Sequence, residues 1–206
     1  MPIPDYPVAS AHLAAIDADW ARLVAQVGPC TLAADTASEP YQALVRAVAY
    51  QQLHGRAAEA ILGRLLALYP DAPFPAPAQL LATDFERLRA CGLSARKIET
   101  IQGLAAGALS GLVPSRAAAE GMDDEALIQR LVSLRGIGRW TVEMLLIFSL
   151  GRLDVLPADD FGVRNGYRRL KTLDALPTPR EVARAGLPWR PWRSVAAWYL
   201  WRVPAP

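Results

Sequence analysis

Two glycines separated by one isoleucine, Gly136-Ile137-Gly138, stand between two segments of helical periodicity. Upstream, Asp123 precedes apolar residues at Leu127, Ile128, Leu131 and Val132, the spacing of an amphipathic helix with an aspartate at its cap. Downstream, Trp140 to Leu150 is apolar on nearly every side (Val142, Met144, Leu145, Leu146, Ile147, Phe148), which is the pattern of a core helix. Only a tight turn can join the two, and glycine lets a backbone both turn sharply and come close to a ligand. The first N–H groups of the second helix have no partner within it, and its dipole favours an anion there. A helix, turn and helix over about 123–150 is therefore expected to grip phosphate through Gly136, Ile137, Gly138, Arg139 and Thr141. Such a grip positions a nucleic acid without reading its sequence. A Gly-x-Gly pair also simply ends helices, so the turn does not decide the function alone.

The rest of the chain reads as helices. Ser10 precedes a pattern running to Val27, with Gly28 as its stop. Glu39 to about Tyr69 holds two helices, with Leu44, Val45, Val48 and Ala49 on one face of the first and Gly55 as the break before Arg56–Leu68. Four prolines in the eight residues Pro70–Pro77 make a loop, read as a seam between lobes. Thr83 with Glu86 has the form of a capping box for a short helix ending near Gly92. Ser94 caps another through Ile98, Ile101, Leu104 and Ala105 toward Gly111. Shorter helices follow at Asp160–Leu170 and Pro179–Ala185, and Arg190–Val203 closes the chain. Strand patterns are weak throughout, so the fold class is all-α. The 206 residues are enough for one domain of two helical lobes flanking an active-site cleft.

Composition narrows the chemistry. With 52% hydrophobic residues the chain can bury a sizeable core, yet no apolar run reaches the roughly 18 residues of a membrane span. No signal peptide is visible at the start, so a cytoplasmic location is expected. Cys30 and Cys91 are the only cysteines, too few for a disulfide framework or a four-cysteine metal site. The net charge is only +2, but residues 129–206 carry 13 Lys and Arg against 6 Asp and Glu, and the first 128 residues carry 9 against 14. The glycine turn thus opens a basic segment, which attracts a polyanion or is simply a solvated face. Of the 22 basic residues only Lys97 and Lys171 are lysines.

The whole string Leu134-Arg135-Gly136-Ile137-Gly138-Arg139-Trp140-Thr141 resembles the helix-hairpin-helix motif of a DNA glycosylase superfamily. Leu156-Pro157-Ala158-Asp159-Asp160-Phe161 resembles that superfamily's Gly/Pro-rich loop and catalytic aspartate. Ala49-Tyr50-Gln51-Gln52-Leu53-His54-Gly55-Arg56, Gly92-Leu93-Ser94 with Lys97, and Pro191-Trp192-Arg193-Ser194 resemble the AlkA-type 3-methyladenine DNA glycosylases, without the extra N-terminal β domain of longer members. The resemblance spans residues 40 to 202. It implies a hydrolase of base excision repair that flips an alkylated base out of double-stranded DNA and cuts its N-glycosidic bond, leaving an abasic site. Expected substrates are 3-methyladenine and 7-methylguanine, with 1-methyladenine or 3-methylcytosine as further candidates.

The resemblance also assigns residues. The family's Asp-x-x-Val/Ile pattern selects Asp160 over Asp159 as the catalytic carboxylate, which would stabilise an oxocarbenium-like sugar and orient water. Gln51 or Gln52 would fill the gap left by the flipped base, and His54 would probe the minor groove. Trp140, Phe161, Trp201 and Met144 would form the base pocket, where an electron-poor base gains from aromatic faces. Glu143 either reaches solvent, the favoured reading, or lines that pocket. No cofactor is required, although the carbonyls of Val132, Leu134 and Gly136 are where relatives hold a structural Na+ or K+. The protein is expected to work as a monomer and away from membranes. A bifunctional glycosylase/lyase is disfavoured because the position of its Schiff-base lysine holds Trp140. A non-catalytic DNA-binding module is the alternative from another class.

Overall fold

The computed structural model describes residues 5–53 and 55–204. Thirteen α-helices and one 3-10 turn account for the regular structure among them, with no strand. None of these helices is long and apolar enough to cross a membrane. The chain divides into two compact units, one formed by residues 35–145 and the other by the segments before and after it.

The central unit begins with α3 (Pro40–Tyr50) and α4 (Gly55–Ala67). After the proline-rich loop come α5 (Pro77–Ala82), α6 (Phe85–Ala90), α7 (Ala95–Leu109), α8 (Arg116–Glu120) and α9 (Asp124–Leu131), then the greater part of α10 (Arg139–Phe148). Helix α7 is its centre: α3, α5 and α6 all pack against it. Ser94 starts α7 by accepting from the Lys97 N–H, and Ile98, Ile101, Leu104 and Ala105 are fully buried along one face. Each large apolar side chain so buried contributes about 2 kcal/mol. Asp123 caps α9 through the N–H groups of Glu125 and Ala126.

The terminal unit holds α1 (Tyr6–Ala14), α2 (Ala18–Val27), α11 (Phe161–Leu170), α12 (Pro179–Ala185), the 3-10 turn Leu187–Trp189 and α13 (Arg193–Leu200). Trp20 of α2 meets Trp189 edge-on with centroids 5.2 Å apart. Tyr199 of α13 donates to Gly28 O at 3.0 Å and shares a 2.8 Å hydrogen bond with Ser10. Helix α13 lies directly against α11, because Gly166 presents no Cβ to the Leu200 backbone.

Several boundaries differ from the sequence reading. Ser10 starts nothing: it is buried inside α1, and the true caps are Asp5 for α1 and Asp17 for α2. Thr83 ends α5, where its hydroxyl donates to Gln79 O, and Asp84 caps α6 instead. Gly55 is the first residue of α4 rather than a break before it. The segment Pro70–Pro77 lies inside the central unit and is no seam, and Pro77 opens α5, a helix the pattern does not reveal. Helix α8 is missed for the same reason: it is too short to show periodicity.

Substituting Gly166 by alanine would drive the new methyl into the backbone of Leu200, which cannot swing aside. Gly166→Ala is expected to cost about 1–3 kcal/mol, read as a lowered urea midpoint.

Candidate active site

In the central unit, the end of α3, the start of α7, the hairpin turn and the first turns of α10 enclose a groove of about 560 Å³. Four elements line it: Ala47 and Tyr50 of α3 with Gln51 and Gln52 just after it; the cap Ser94 with Arg96, Lys97 and Thr100 of α7; Gly136 and Gly138 in the hairpin; and Trp140, Thr141 and Met144 on α10. Trp140 is 44% exposed, far more than a core tryptophan, and so offers ring surface to whatever enters. The structure therefore brings together Trp140 and Met144 of the expected pocket, both wedge glutamines and both hairpin glycines. His54 lies outside the described residues.

The two glycines do different work. Gly136 has φ +85°, and a Cβ there would overlap the Thr100 hydroxyl, so the fold itself demands glycine. Gly138 is exposed, its φ is not left-handed, and nothing lies within 4 Å of where its Cβ would be. The fold gives no reason for glycine at 138, whereas close approach of a ligand to the backbone does.

The remaining hairpin positions behave otherwise than expected. The side chains of Ile137 and Thr141 are buried. Their N–H groups donate within the turn, to Leu134 O at 3.1 Å and Gly138 O at 3.0 Å. These residues thus shape the turn, and in this conformation their donors are already in use. The Arg139 guanidinium donates to both oxygens of Glu125, at 3.0 and 2.6 Å, and to Glu143 at 3.0 Å. A phosphate contact by Arg139 would have to compete with two carboxylates. Glu143 is the matching correction: it is 4% exposed and reaches neither solvent nor the groove lining, because Arg139 neutralises it inside α10's packing face. Of the carbonyls expected to face a cation, Leu134 O already accepts one hydrogen bond, which leaves a second lone pair for an ion alongside those of Val132 and Gly136. Carbonyl oxygens are hard donors and suit such a cation. Among the described residues no cluster of His, Cys, Asp and Glu could hold a metal.

In the terminal unit the focus is Asp160, the N-cap of α11. Its Oδ1 accepts from the Val163 N–H at 2.8 Å and from the Trp201 indole Nε1–H at 2.8 Å. Two donors on one oxygen fix the rotation of the carboxylate. Gly162 makes room for this, since a Cβ there would come within 2.7 Å of Trp201 Cδ1. Phe148 stacks on Trp201 with centroids 5.7 Å apart and an interplanar angle of 26°. Neither Phe148's contact nor the indole bond is visible in a linear pattern. Asp159 is exposed, and Phe161, at the first position of α11, is 66% exposed rather than enclosed. The loop before Asp160 is braced from α13. Arg193 binds Asp154 at 2.6 Å, the Ser194 N–H donates to Leu153 O, and the Ser194 hydroxyl donates to Arg152 O.

Gly136→Ala is expected to lower the melting temperature, and Gly138→Ala to leave it nearly unchanged while weakening binding to duplex DNA; calorimetry and anisotropy titrations of the two variants decide. A second expectation concerns acid. The Arg139 guanidinium beside Glu125 pulls its carboxyl down to about 2, with help from the Gln129 amide. A depressed carboxylate stabilises the fold above its unfolded value near 4.5 and loses that contribution as pH falls toward 2. The stability gap between the wild type and Glu125→Gln should be constant above about pH 5 and close between 4.5 and 2. Because both side chains are 53% exposed, added salt should shrink the gap, as urea midpoints across pH and salt would show.

Comparison with known proteins agrees with this architecture. Residues 45–191 match the family described as HhH-GPD superfamily base excision DNA repair protein. The chain is 48% identical to DNA-3-methyladenine glycosylase 1 of Schizosaccharomyces pombe, over 95% of this chain and 86% of that protein. It is 40% identical to the alkylbase DNA glycosidase-like protein mag2 of the same yeast, over 97% and 94%. The structure of the S. pombe 3-methyladenine DNA glycosylase Mag1 in complex with abasic DNA superposes with a TM-score of 0.86, covering 94% of this chain and 95% of that one. DNA-3-methyladenine glycosidase from Bacillus halodurans, 34% identical, superposes with a TM-score of 0.85 over 96% and 89%. The chain is a member of the HhH-GPD superfamily of base excision DNA repair proteins.

Proposed function

We propose that this protein is a monofunctional DNA glycosylase that removes alkylated bases from double-stranded DNA, acting as a monomer and leaving an abasic site. The observation that carries the reading is the Asp160 carboxylate, held by two donors at the start of α11 in a chain 48% identical to a 3-methyladenine glycosylase. A purine alkylated at N3 or N7 is cationic, so it departs as a neutral base and needs little acid assistance. The C1′–N bond breaks with its electron pair going to the base. Positive charge then develops on the sugar, where a fixed anion is worth most. Water adds its oxygen to C1′ and gives up a proton to the Asp160 carboxylate. Trp140 supplies an aromatic face for the cationic base, and Gln52 fills the vacated place in the stack. Substrates of this class are 3-methyladenine and 7-methylguanine, with 1-methyladenine or 3-methylcytosine as further lesions.

Lyase chemistry needs an available amine, and the chain's lysines are committed elsewhere. The Lys171 ammonium bridges Asp17 at 2.6 Å and Asp19 at 2.8 Å. That of Lys97 donates to two carbonyls, and α10 presents Trp140 where lyases of this superfamily present lysine.

Release of 3-methyladenine and 7-methylguanine from methylated duplex DNA tests the proposal. Asp160→Asn keeps a side-chain oxygen for the cap but removes the charge, so it should fold normally and lose at least about 100-fold in single-turnover rate. Borohydride should trap no protein–DNA adduct. Unchanged release by the variant would overturn the role of Asp160, and a wild type that binds DNA yet releases no base would favour a non-catalytic module.

A further inference from the structure

Helix α3 ends under an unusual constraint. Gln51 leaves the helix with φ −51° and ψ 129°, and Gln52 follows with φ +56°, a left-handed backbone that a non-glycine residue adopts at a cost of about 1 kcal/mol or more. The last carbonyls of a helix need partners, and they form the negative end of its dipole. Here the three at issue are accounted for. Tyr50 O accepts from the Leu53 N–H at 3.2 Å, closing the turn. Ala49 O and Gln51 O both accept from the Lys97 ammonium, at 2.9 and 2.8 Å. The cation thus straddles the point where the chain leaves the helix and enters the left-handed residue.

We propose that Lys97 is a positioning residue for the wedge: by clamping Ala49 O and Gln51 O it holds Gln52 outward in its left-handed turn, and it acts on base flipping through Gln52 rather than as a phosphate ligand. The proposal rests on reading Gln52 as the residue that fills the stack. Three features support it. Lysine is rare in a chain where 20 of 22 basic residues are arginine, the side chain better suited to phosphate. A compact ammonium with three rotatable donors can reach two carbonyls that point differently, which a planar guanidinium does less well. The side chain is half-buried with both carbonyl bonds made, and burial pulls its pKa below the ordinary lysine range. The base of the clamp is firm as well, because Lys97 lies in the first turn of α7 and its own N–H bonds the Ser94 cap at 3.3 Å.

Single-turnover excision by Lys97→Met, Gln52→Ala and the double variant tests this, together with the fluorescence of 2-aminopurine beside the lesion as a report on flipping. Lys97→Met should slow excision from duplex DNA about 10-fold or more, with a matching loss of the flipping signal. Its salt slope of binding should stay at the wild-type value, and the loss should shrink on single-stranded substrate, where no stack has to be refilled. In the Gln52→Ala background Lys97→Met should add little, the non-additivity of residues acting as one unit. Lys97→Gln, which keeps an amide donor, should be intermediate, and it takes the same cycle if the methionine variant does not fold. A full additional loss in the Gln52→Ala background, or a salt slope reduced by about 1 as for a lost phosphate contact, would overturn the role of Lys97. A Gln52→Ala variant with unaltered flipping and excision would instead overturn the wedge reading beneath it.

Discussion

The contact between Thr100 and Gly136 is the constraint on which the central unit's groove depends. The threonine occupies the space that a side chain at 136 would need, so the hairpin turn can lie flat against α7 only because Gly136 is bare and left-handed. Thr100 is itself fixed, being buried and donating to Arg96 O at 2.9 Å. One helical turn earlier, Lys97 holds the end of α3. Residues three apart share a helix face and are separated by about 4.5 Å along the axis. The spacing between the hairpin turn and the turn that ends α3 is thus set by α7, whose other face is buried by Ile98, Ile101 and Leu104. Function carried on turns gains its precision from the rigid element beneath them.

Asp160 shows a different economy. An N-cap aspartate contributes about 1 kcal/mol to its helix, and the same carboxylate is the group proposed to face the sugar. The cap bond from Val163 and the indole bond from Trp201 converge on one oxygen. A helix terminus and an aromatic side chain, stacked in turn on Phe148, therefore both hold this oxygen in place. The similarity to family sequences at Pro191-Trp192-Arg193-Ser194 acquires a physical meaning here. Arg193 and Ser194 fasten residues 152–155, the strand of loop that delivers Asp160 to its position.

How much of this was legible depended on what each feature rests on. Caps with a long periodic helix behind them, Ser94 and Asp123, were readable because local hydrogen bonding and apolar spacing agree there. Ser10 and Thr83 misled because hydroxyls also satisfy themselves inside or at the ends of helices. Ser10 pairs with Tyr199, 189 residues away, and Thr83 with Gln79 and Tyr69. The groove members Gln51, Gln52, Trp140 and Met144 were named from motifs. Thr100 and the clamp of Lys97 were not, since their partners are backbone atoms that leave no mark in the sequence. Glu143 reads as a surface charge in the sequence because its neutralising partner, four residues earlier on α10, is a residue that the hairpin motif assigns to phosphate.

The arginines resolve what the basic C-terminal segment means. Some of its charges are cancelled: Arg139 by Glu125 and Glu143, Arg193 by Asp154, Lys171 by Asp17 and Asp19. Others are held by neutral groups. Arg130 donates to Gly111 O and Leu112 O, Arg164 to Pro177 O, and Arg202 to Trp198 O while lying over that ring. A carbonyl fixes a guanidinium without neutralising it, so these side chains stay positive although their donors are partly occupied. Such charges act through the field, which reaches about 8–10 Å at moderate salt and draws in a polyanion before any contact forms. At short range the exposed backbone at Gly138 offers a surface of another kind, one that carries no net charge. Attraction at a distance and close approach to the backbone are thereby properties of different atoms.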